Sequence, residues 1–408
     1  MKRRRFLATL GAASCAPFVF AANDRPRRIL LRSSWQTVNI GDIGHSPGVI
    51  RLLGDHLPDA EITLWPANIG DGVEEMLRHN FPKLRIAKTA ETVRTAFAEC
   101  DFFLHGSGPS LVGQKQLAQW QRETGKPYGI YGITLGSLDA EARELINGAR
   151  FIYFRDTLSL QWAKDHGLKC ALMGFAPDGA FGVNLRDGEA ATAFLREHKL
   201  EDGRFICAIP RLRYTPYWKI HGRPMTDEDR RRDAISQERK AGDHAKLRAA
   251  LVAFVRETGM KVLVCPEDRS HMEIGRDLLV EPLPEDVKSR VVWRERYWLT
   301  DEAVSTYTRA LALLSMDMHS PIMAVANGTP AIHCRFAEQT SKGQMWRDVG
   351  LGEWLFDLDD EPDGARITAT LLTIAREPAA ASAKVEQAME FVRRRQRETM
   401  AVVAKNVA

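Results

Sequence analysis

No CxxC pair, no tandem repeat of short period and no long basic stripe occurs in this sequence. Cysteines at close spacings are what zinc ribbons and redox pairs require, whereas Cys15, Cys100, Cys170, Cys207, Cys265 and Cys334 are scattered. Four of them stand in strand-like runs ("KCALMGF", "FICAIP", "VLVCPE", "AIHC"), where a free thiol serves as a small core hydrophobe, so no disulfide framework is expected. His, Asp and Glu do not fall at metal-ligand spacings either, and no resident metal or other cofactor is expected. The formal charge of +4 comes from the first residues: without Lys2, Arg3, Arg4 and Arg5, 53 basic residues face 53 acidic ones. Such a balance is poorly suited to neutralising many phosphates, so nucleic acid is not an expected partner.

What is present is a chain of 408 residues, 44% hydrophobic and 27% charged, which describes a globular protein with room for two domains. It begins "MKRRRFLATLGAASCAPFVFAA", a positive segment followed by an apolar stretch too short and too rich in Gly, Ala and Pro to span a bilayer. Arg3, Arg4, Phe6 and Leu7 fit the twin-arginine pattern, and Val19-Phe20-Ala21 offers small residues for cleavage. A signal peptide over residues 1–22 is therefore expected, with the twin-arginine export machinery as a partner and the periplasm or cell envelope as destination. An unused signal would leave the protein in the cytoplasm.

From Arg27 onward, short apolar runs alternate with amphipathic segments, the pattern of βαβ units around parallel sheets. The first series is "RRILLRS", "AEITLWP", "LRIAK", "DFFLHG", "PYGIYGI", "RFIYFRD" and "CALMGF"; the second is "RFICAIPR", "KVLVCPE", "RVVWRE", "LALLSMD", "PAIHCRF" and "EWLFDL". Two α/β domains are expected, over residues 23–186 and 204–375, joined by a polar linker at 187–203. Residues 213–243, aromatic and then charge-rich, read as an insertion or flap over the cleft. Residues 376–408 read as a long helix packing back across the first domain.

Three loops carry candidate chemistry. In "SSWQTVNIGDIGHSPGVIRLL", Ser46 and Pro47 read as N-cap and first helical residue, which puts Asn39, Gly41, Asp42 and Gly44 in a βα turn at the ligand-binding edge of a parallel sheet. A tight turn with a capping Asp is the plainer alternative. In "CDFFLHGSGPSLVG", Gly106, Ser107 and Gly108 form a second such loop. In "YFRDTLSLQWAKDHGL", Arg155 ends a strand and Asp156 caps a helix with Ser159 in its first turn. The planar fork of Arg155 suits a carboxylate or phosphate, with a structural ion pair as the alternative. Asp178, in "GFAPDGAFGV", is a site carboxylate or a turn carboxylate.

The series "NIGD", "HGSGPSL", "FRDTLS", "APDGAF", "HSPIMAVANGTPAI" and "TSKG" resembles the polysaccharide pyruvyl transferase family in order and approximate spacing, from Arg27 to about Leu351. The resemblance implies a glycosyltransferase-B-like pair of Rossmann domains with a ligand cleft between them. It also implies transfer of a pyruvyl group from phosphoenolpyruvate, a small anionic donor, to two hydroxyls of a glycan acceptor as a cyclic ketal. On it, Arg155 and Lys342 bind the donor, His319 is general acid or phosphate contact, and Asp42 or Asp178 accepts a hydroxyl proton. Where the family commonly has Arg, one residue, then His, this sequence has Asp317, Met318, His319. A unit charge pair about 4 Å apart is worth roughly 4 kcal/mol at an effective dielectric near 20, so an acid there needs a compensating cation. Arg211, Arg213, Arg335 and Lys342 are candidates; alternatively Asp317 pairs with Arg155, or raises the pKa of His319. A same-fold transferase using another donor, such as a nucleotide sugar, and a noncatalytic glycan-binding protein remain as alternatives.

Overall fold

The computed structural model describes residues 25–34 and 37–407, so the expected signal peptide lies outside the described residues. Every apolar run read as a strand forms one. The first sheet holds β1 (Arg28–Arg32), β2 (Glu61–Leu64), β3 (Arg85–Ile86), β4 (Phe102–His105), β5 (Tyr128–Ile133), β6 (Ile152–Phe154) and β7 (Met173–Phe175). The second holds β8 (Phe205–Ile209), β9 (Lys261–Val264), β10 (Val291–Trp293), β11 (Ala312–Ser315), β12 (Ala331–Arg335) and β13 (Leu355–Asp357). All the pairings are parallel, with orders β3-β2-β1-β4-β5-β6-β7 and β10-β9-β8-β11-β12-β13. β4, β5, β8 and β11 are buried at every position. Helices cover both faces of such strands, which is why their sequences are continuously apolar instead of alternating.

Each chain half builds outward from its first strand and then returns to that strand's other side. The reversal falls between β1 and β4 in one sheet and between β8 and β11 in the other. Loops leaving the carboxyl edge there diverge and open a crevice. The two crevices face each other across a tight seam. Asn39 bridges Asp268, Ile40 N donates to Glu267 O at 2.9 Å, Arg269 N donates to Val38 O at 3.1 Å, and Thr300 Oγ1 donates to Ile40 O at 3.0 Å.

The helix after β1 starts earlier than Ser46-Pro47 suggested. It spans Ile40–His56 with Pro47 inside it, because the Asn39 side chain accepts from Gly41 N at 2.8 Å and Asp42 N at 3.1 Å and so caps it. Gly48 lets this helix lie against the turn Gly179–Gly182: a Cβ there would stand 2.0 Å from Gly179 O. Within the stretch 187–203, Gly188–Glu197 is helical, capped by Asp187, whose own N–H donates to Ser305 Oγ at 2.9 Å. The stretch 213–243 holds a short helix, Tyr217–Ile220, and the first half of the helix Asp227–Thr258. Its charge-rich start is a helix N-terminus: Thr226 and Asp229 form a capping box, and Asp227, Glu228 and Asp229 suit the positive end of the helix dipole. The last helix, Pro378–Val407, crosses back to the first sheet, where Thr399 Oγ1 and Tyr131 OH are 3.0 Å apart and Arg395 Nη2 donates to Phe175 O at 2.7 Å. Among the described residues no helix is long and apolar enough to cross a membrane. Cys100, Cys170, Cys207, Cys265 and Cys334 are buried and free.

Candidate functional site

The facing crevices enclose a cleft of about 380 Å³. Arg32, Ser33, Ser34, Asn39 and Asp42 line it from the end of β1 and the loop and helix that follow, and Pro109 and Val112 from the loop after β4. From the second domain come Arg211 and Tyr217 after β8, Asp317 and His319 after β11, and Lys342 after β12. A wider groove of about 1070 Å³ lies elsewhere, where Asp71, Glu75, Asp187, Glu189, Asp301 and Glu302 outnumber Arg186 and Arg269 in the lining. The smaller cleft brings together three cations, Arg32, Arg211 and Lys342, beside the two acids Asp42 and Asp317.

Asp317 is paired with Arg211, not with Arg155. Its backbone N–H takes Ser315 Oγ at 3.0 Å, and its Oδ1 accepts from Met318 N at 2.8 Å. Burial alone would push its carboxyl up, yet the Arg211 guanidinium, with Lys342 and two histidines, holds it far below the usual range. Of the four cations considered, Arg213 is spent on Asp243 and Asp359, and Arg335 on Asp357; neither lines the cleft. Lys342 lines it half-buried, its pKa lowered by burial and by Arg211. His319 is not raised by Asp317. Burial lowers it well below the ordinary histidine value, and His45 and Lys342 reinforce the shift, so its imidazole is neutral at neutral pH. Asp42, opposite, is raised by burial and faces Ser34 Oγ at 3.5 Å.

Asp178 and Arg155 sit beneath this lining and hold one another, Nη1 to Oδ2 at 2.7 Å, with both side chains fully buried. Arg155 Nε also donates to Thr134 Oγ1 at 2.7 Å, and Asp178 Oδ1 accepts from Ala180 N at 2.8 Å. Asp156 caps its helix as read, accepting from Ser159 N at 2.8 Å. Ser107 reaches Nδ1 of His45 at 2.8 Å, and the same nitrogen lies 3.2 Å from Asp178 Oδ1. Gly106, Ser107 and Gly108 therefore back the cleft without lining it. Gly41 presses on His319: a Cβ there would stand 2.4 Å from the histidine Cβ.

Two buried groups escaped the sequence reading. His45 stands edge-to-face with His319, ring centroids 4.7 Å apart. The signal for it was the Asn39 cap, since a helix starting at Ile40 puts residue 45 one turn after Asp42 on the same face. Glu267 follows β9 at the sheet's carboxyl edge; its Oε2 accepts from Ser320 N at 2.6 Å, and its Oε1 is 3.4 Å from His319 Nδ1. Burial raises its pKa, and Asp317 adds to the shift. Although no metal spacing appears in the sequence, the fold gathers three buried triads of ligand-type atoms within 4.8 Å: His45, Asp178 and His319; Glu267, Asp317 and His319; and Asp268, His271 and Asp317.

A pair of parallel, doubly wound domains with facing switch points is the glycosyltransferase-B architecture. Solved structures share it. A putative UDP-N-acetylglucosamine 2-epimerase from Listeria monocytogenes matches with TM-score 0.56 at 11% identity over 89% of this chain and 91% of its own. Anabaena HepE, solved with UDP and glucose, matches with TM-score 0.55 at 11% identity over 93% and 99%. The UDP-GlcNAc 2-epimerase of Neisseria meningitidis, solved with UDP-GlcNAc, matches with TM-score 0.55 at 9% identity over 93% and 99%. At these identities the likeness is one of fold. No curated protein matches the chain. The family model described as polysaccharide pyruvyl transferase matches residues 39–336, and the chain belongs to that family.

Proposed function

We propose that this chain is an exported pyruvyl transferase, moving the pyruvyl group of phosphoenolpyruvate onto two hydroxyls of an envelope or extracellular glycan. The observation that supports it best is the convergence of Arg32, Arg211 and Lys342 with His319 and Asp42 on one cleft at facing switch points. The export half of the reading rests on the amino-terminal sequence pattern alone.

In the reaction the enol methylene gains a proton and becomes a methyl group. The bond from C2 to the phosphate oxygen breaks, and two sugar oxygens bond to C2 to close the ketal. Of the two hydroxyl protons displaced, one matches that on the methyl group and the other leaves with phosphate. Lys342 and Arg32 take the donor's carboxylate and phosphate, while Arg211, already neutralised in part by Asp317, adds a weaker contact. A neutral His319 is a poor acid in the empty cleft, but an entering polyanion favours its protonated form and so arms it at the moment of binding. Asp42, raised by burial, is placed to take a hydroxyl proton.

Millimolar phosphoenolpyruvate should raise the thermal unfolding midpoint, and phosphate release should depend on glycan acceptor. Lys342→Met and His319→Ala should abolish both responses. Stabilisation by nucleotide sugars with none by phosphoenolpyruvate would replace this reading with the other-donor transferase. Glycan binding unaffected by either substitution would replace it with a noncatalytic binder.

A further inference from the structure

We infer that Glu267, Asp317 and His319 form a binding site for a divalent transition-metal cation, Zn²⁺ or Mn²⁺, at the floor of the cleft. The three buried triads are not equivalent. In the first, Asp178 is already neutralised by Arg155 at 2.7 Å and His45 Nδ1 is already engaged with Ser107. In the third, His271 Nδ1 accepts the backbone N–H of Glu267 at 3.2 Å, which puts the ring's proton on Nε2, 3.1 Å from Asp268 Oδ2 but outside hydrogen-bond geometry. A protonated ring nitrogen offers no lone pair to a metal.

In the Glu267, Asp317, His319 triad Asp317 is paired with Arg211, as Asp178 is with Arg155, and the openness lies in the other two residues. Glu267 Oε1 is fully buried and has no hydrogen-bond partner among the described residues; His319 Nδ1 approaches it at 3.4 Å, outside hydrogen-bond geometry. His319 Nε2 is likewise buried without a partner. Glu267, Asp317 and His319 are 0%, 1% and 3% exposed. A buried carboxylate oxygen without a hydrogen-bond partner is costly unless a proton or a cation satisfies it. Arg211 and Met318 N use one lone pair on each oxygen of Asp317 and leave the others available. Ligand atoms around a metal with bonds near 2.1 Å lie about 3.4 Å apart. The Glu267–His319 pair already has that separation, and the ligand atoms of all three residues lie within 4.8 Å of one another. Asp317 and His319 also line the cleft, so a cation has a way in and its open coordination positions face any anionic ligand. Two carboxylates and one imidazole with open positions suit Zn²⁺ or Mn²⁺ better than softer metals. The inference goes beyond the proposed transferase reading and does not depend on its donor, but it replaces a doubly protonated His319, since a ring nitrogen that holds a metal cannot also hold a proton.

The test uses the full chain, tag-free, stripped with chelator and dialysed against Zn²⁺, Mn²⁺ or Co²⁺, with bound metal measured by elemental analysis. We expect one equivalent per chain, a rise in thermal midpoint, and for Co²⁺ a visible absorption band reporting nitrogen ligation. Glu267→Gln and His319→Ala should each weaken uptake by about tenfold or more, while Asp178→Asn, in the closed triad, should retain it. Circular dichroism confirms that each variant is folded, and the wild-type measurement stands on its own if one is not. No stoichiometric uptake by the wild type overturns the site, as does full uptake by folded His319→Ala. Failure of phosphoenolpyruvate to stabilise the protein while metal binds would overturn the donor reading alone.

Discussion

The buried pair of Arg155 and Asp178 separates a structural from a donor-binding role, and Asp178→Asn is the perturbation to make. The substitution keeps shape and removes one charge, leaving the Arg155 guanidinium buried with only Thr134 Oγ1, at 2.7 Å, on its Nε. Breaking a buried ion pair from one side costs about 3–5 kcal/mol, since the remaining charge loses its counterion and does not regain water. Asp178 Oδ1 also holds Ala180 N and faces His45, so the loss falls in the upper part of that interval. With a urea slope of roughly 2–3 kcal/mol per molar, the midpoint of the first domain should fall by about 1–2 M. Arg155→Met should cost a similar amount. The double variant should recover part of it, because replacing both members of a buried pair by apolar or neutral groups is often tolerated. The assay is equilibrium urea unfolding followed by tryptophan fluorescence and circular dichroism. A folded Asp178→Asn with an unchanged midpoint but no response to phosphoenolpyruvate would refute the reasoning and restore both residues to the donor site.

Three buried histidines should make the protein acid-sensitive. Burial lowers His105 and His244 to about 4 and His333 to about 3. Their stabilisation is complete above the unfolded value near 6.5 and lost as pH falls toward about 4, amounting to about 2 kcal/mol each by about pH 5; thermal midpoints from neutral to acidic pH should drop steeply, and less so in His244→Leu. Gly48→Ala places a methyl 2.0 Å from Gly179 O, a backbone atom that cannot rotate away, and should cost about 2–3 kcal/mol in urea unfolding. Thr399→Val strands the Tyr131 hydroxyl and should cost about 1–3 kcal/mol, while adding Tyr131→Phe should recover much of that in the same assay.

What the sequence showed, and what it hid, divides along the range of the interactions involved. Each strand was readable because a parallel strand covered on both faces must be apolar throughout, as β4 and β8 are. Cap residues such as Asp156 were readable for the same local reason. The helix at Ile40 was misplaced because Ser46-Pro47 is the stronger local signal. Asn39 wins only because the seam to Asp268 and Glu267 holds its backbone where its side chain can cap. Arg211 was among the cations the sequence offered Asp317, but the sequence could not choose among them. Arg155 is 23 residues from Asp178, and Arg211 is 106 from Asp317, and nothing local distinguishes those pairings from Arg155 with Asp317. Asp317 shows why this matters. Read along the chain, it looks like a loss of positive charge where an anion should bind. In the fold it takes Arg211, stands beside Glu267 and His319, and leaves Lys342 and Arg32 facing the cleft. The charge deficit is therefore local to one loop, and cations from β1, β8 and β12 meet it because both switch points open onto the same space.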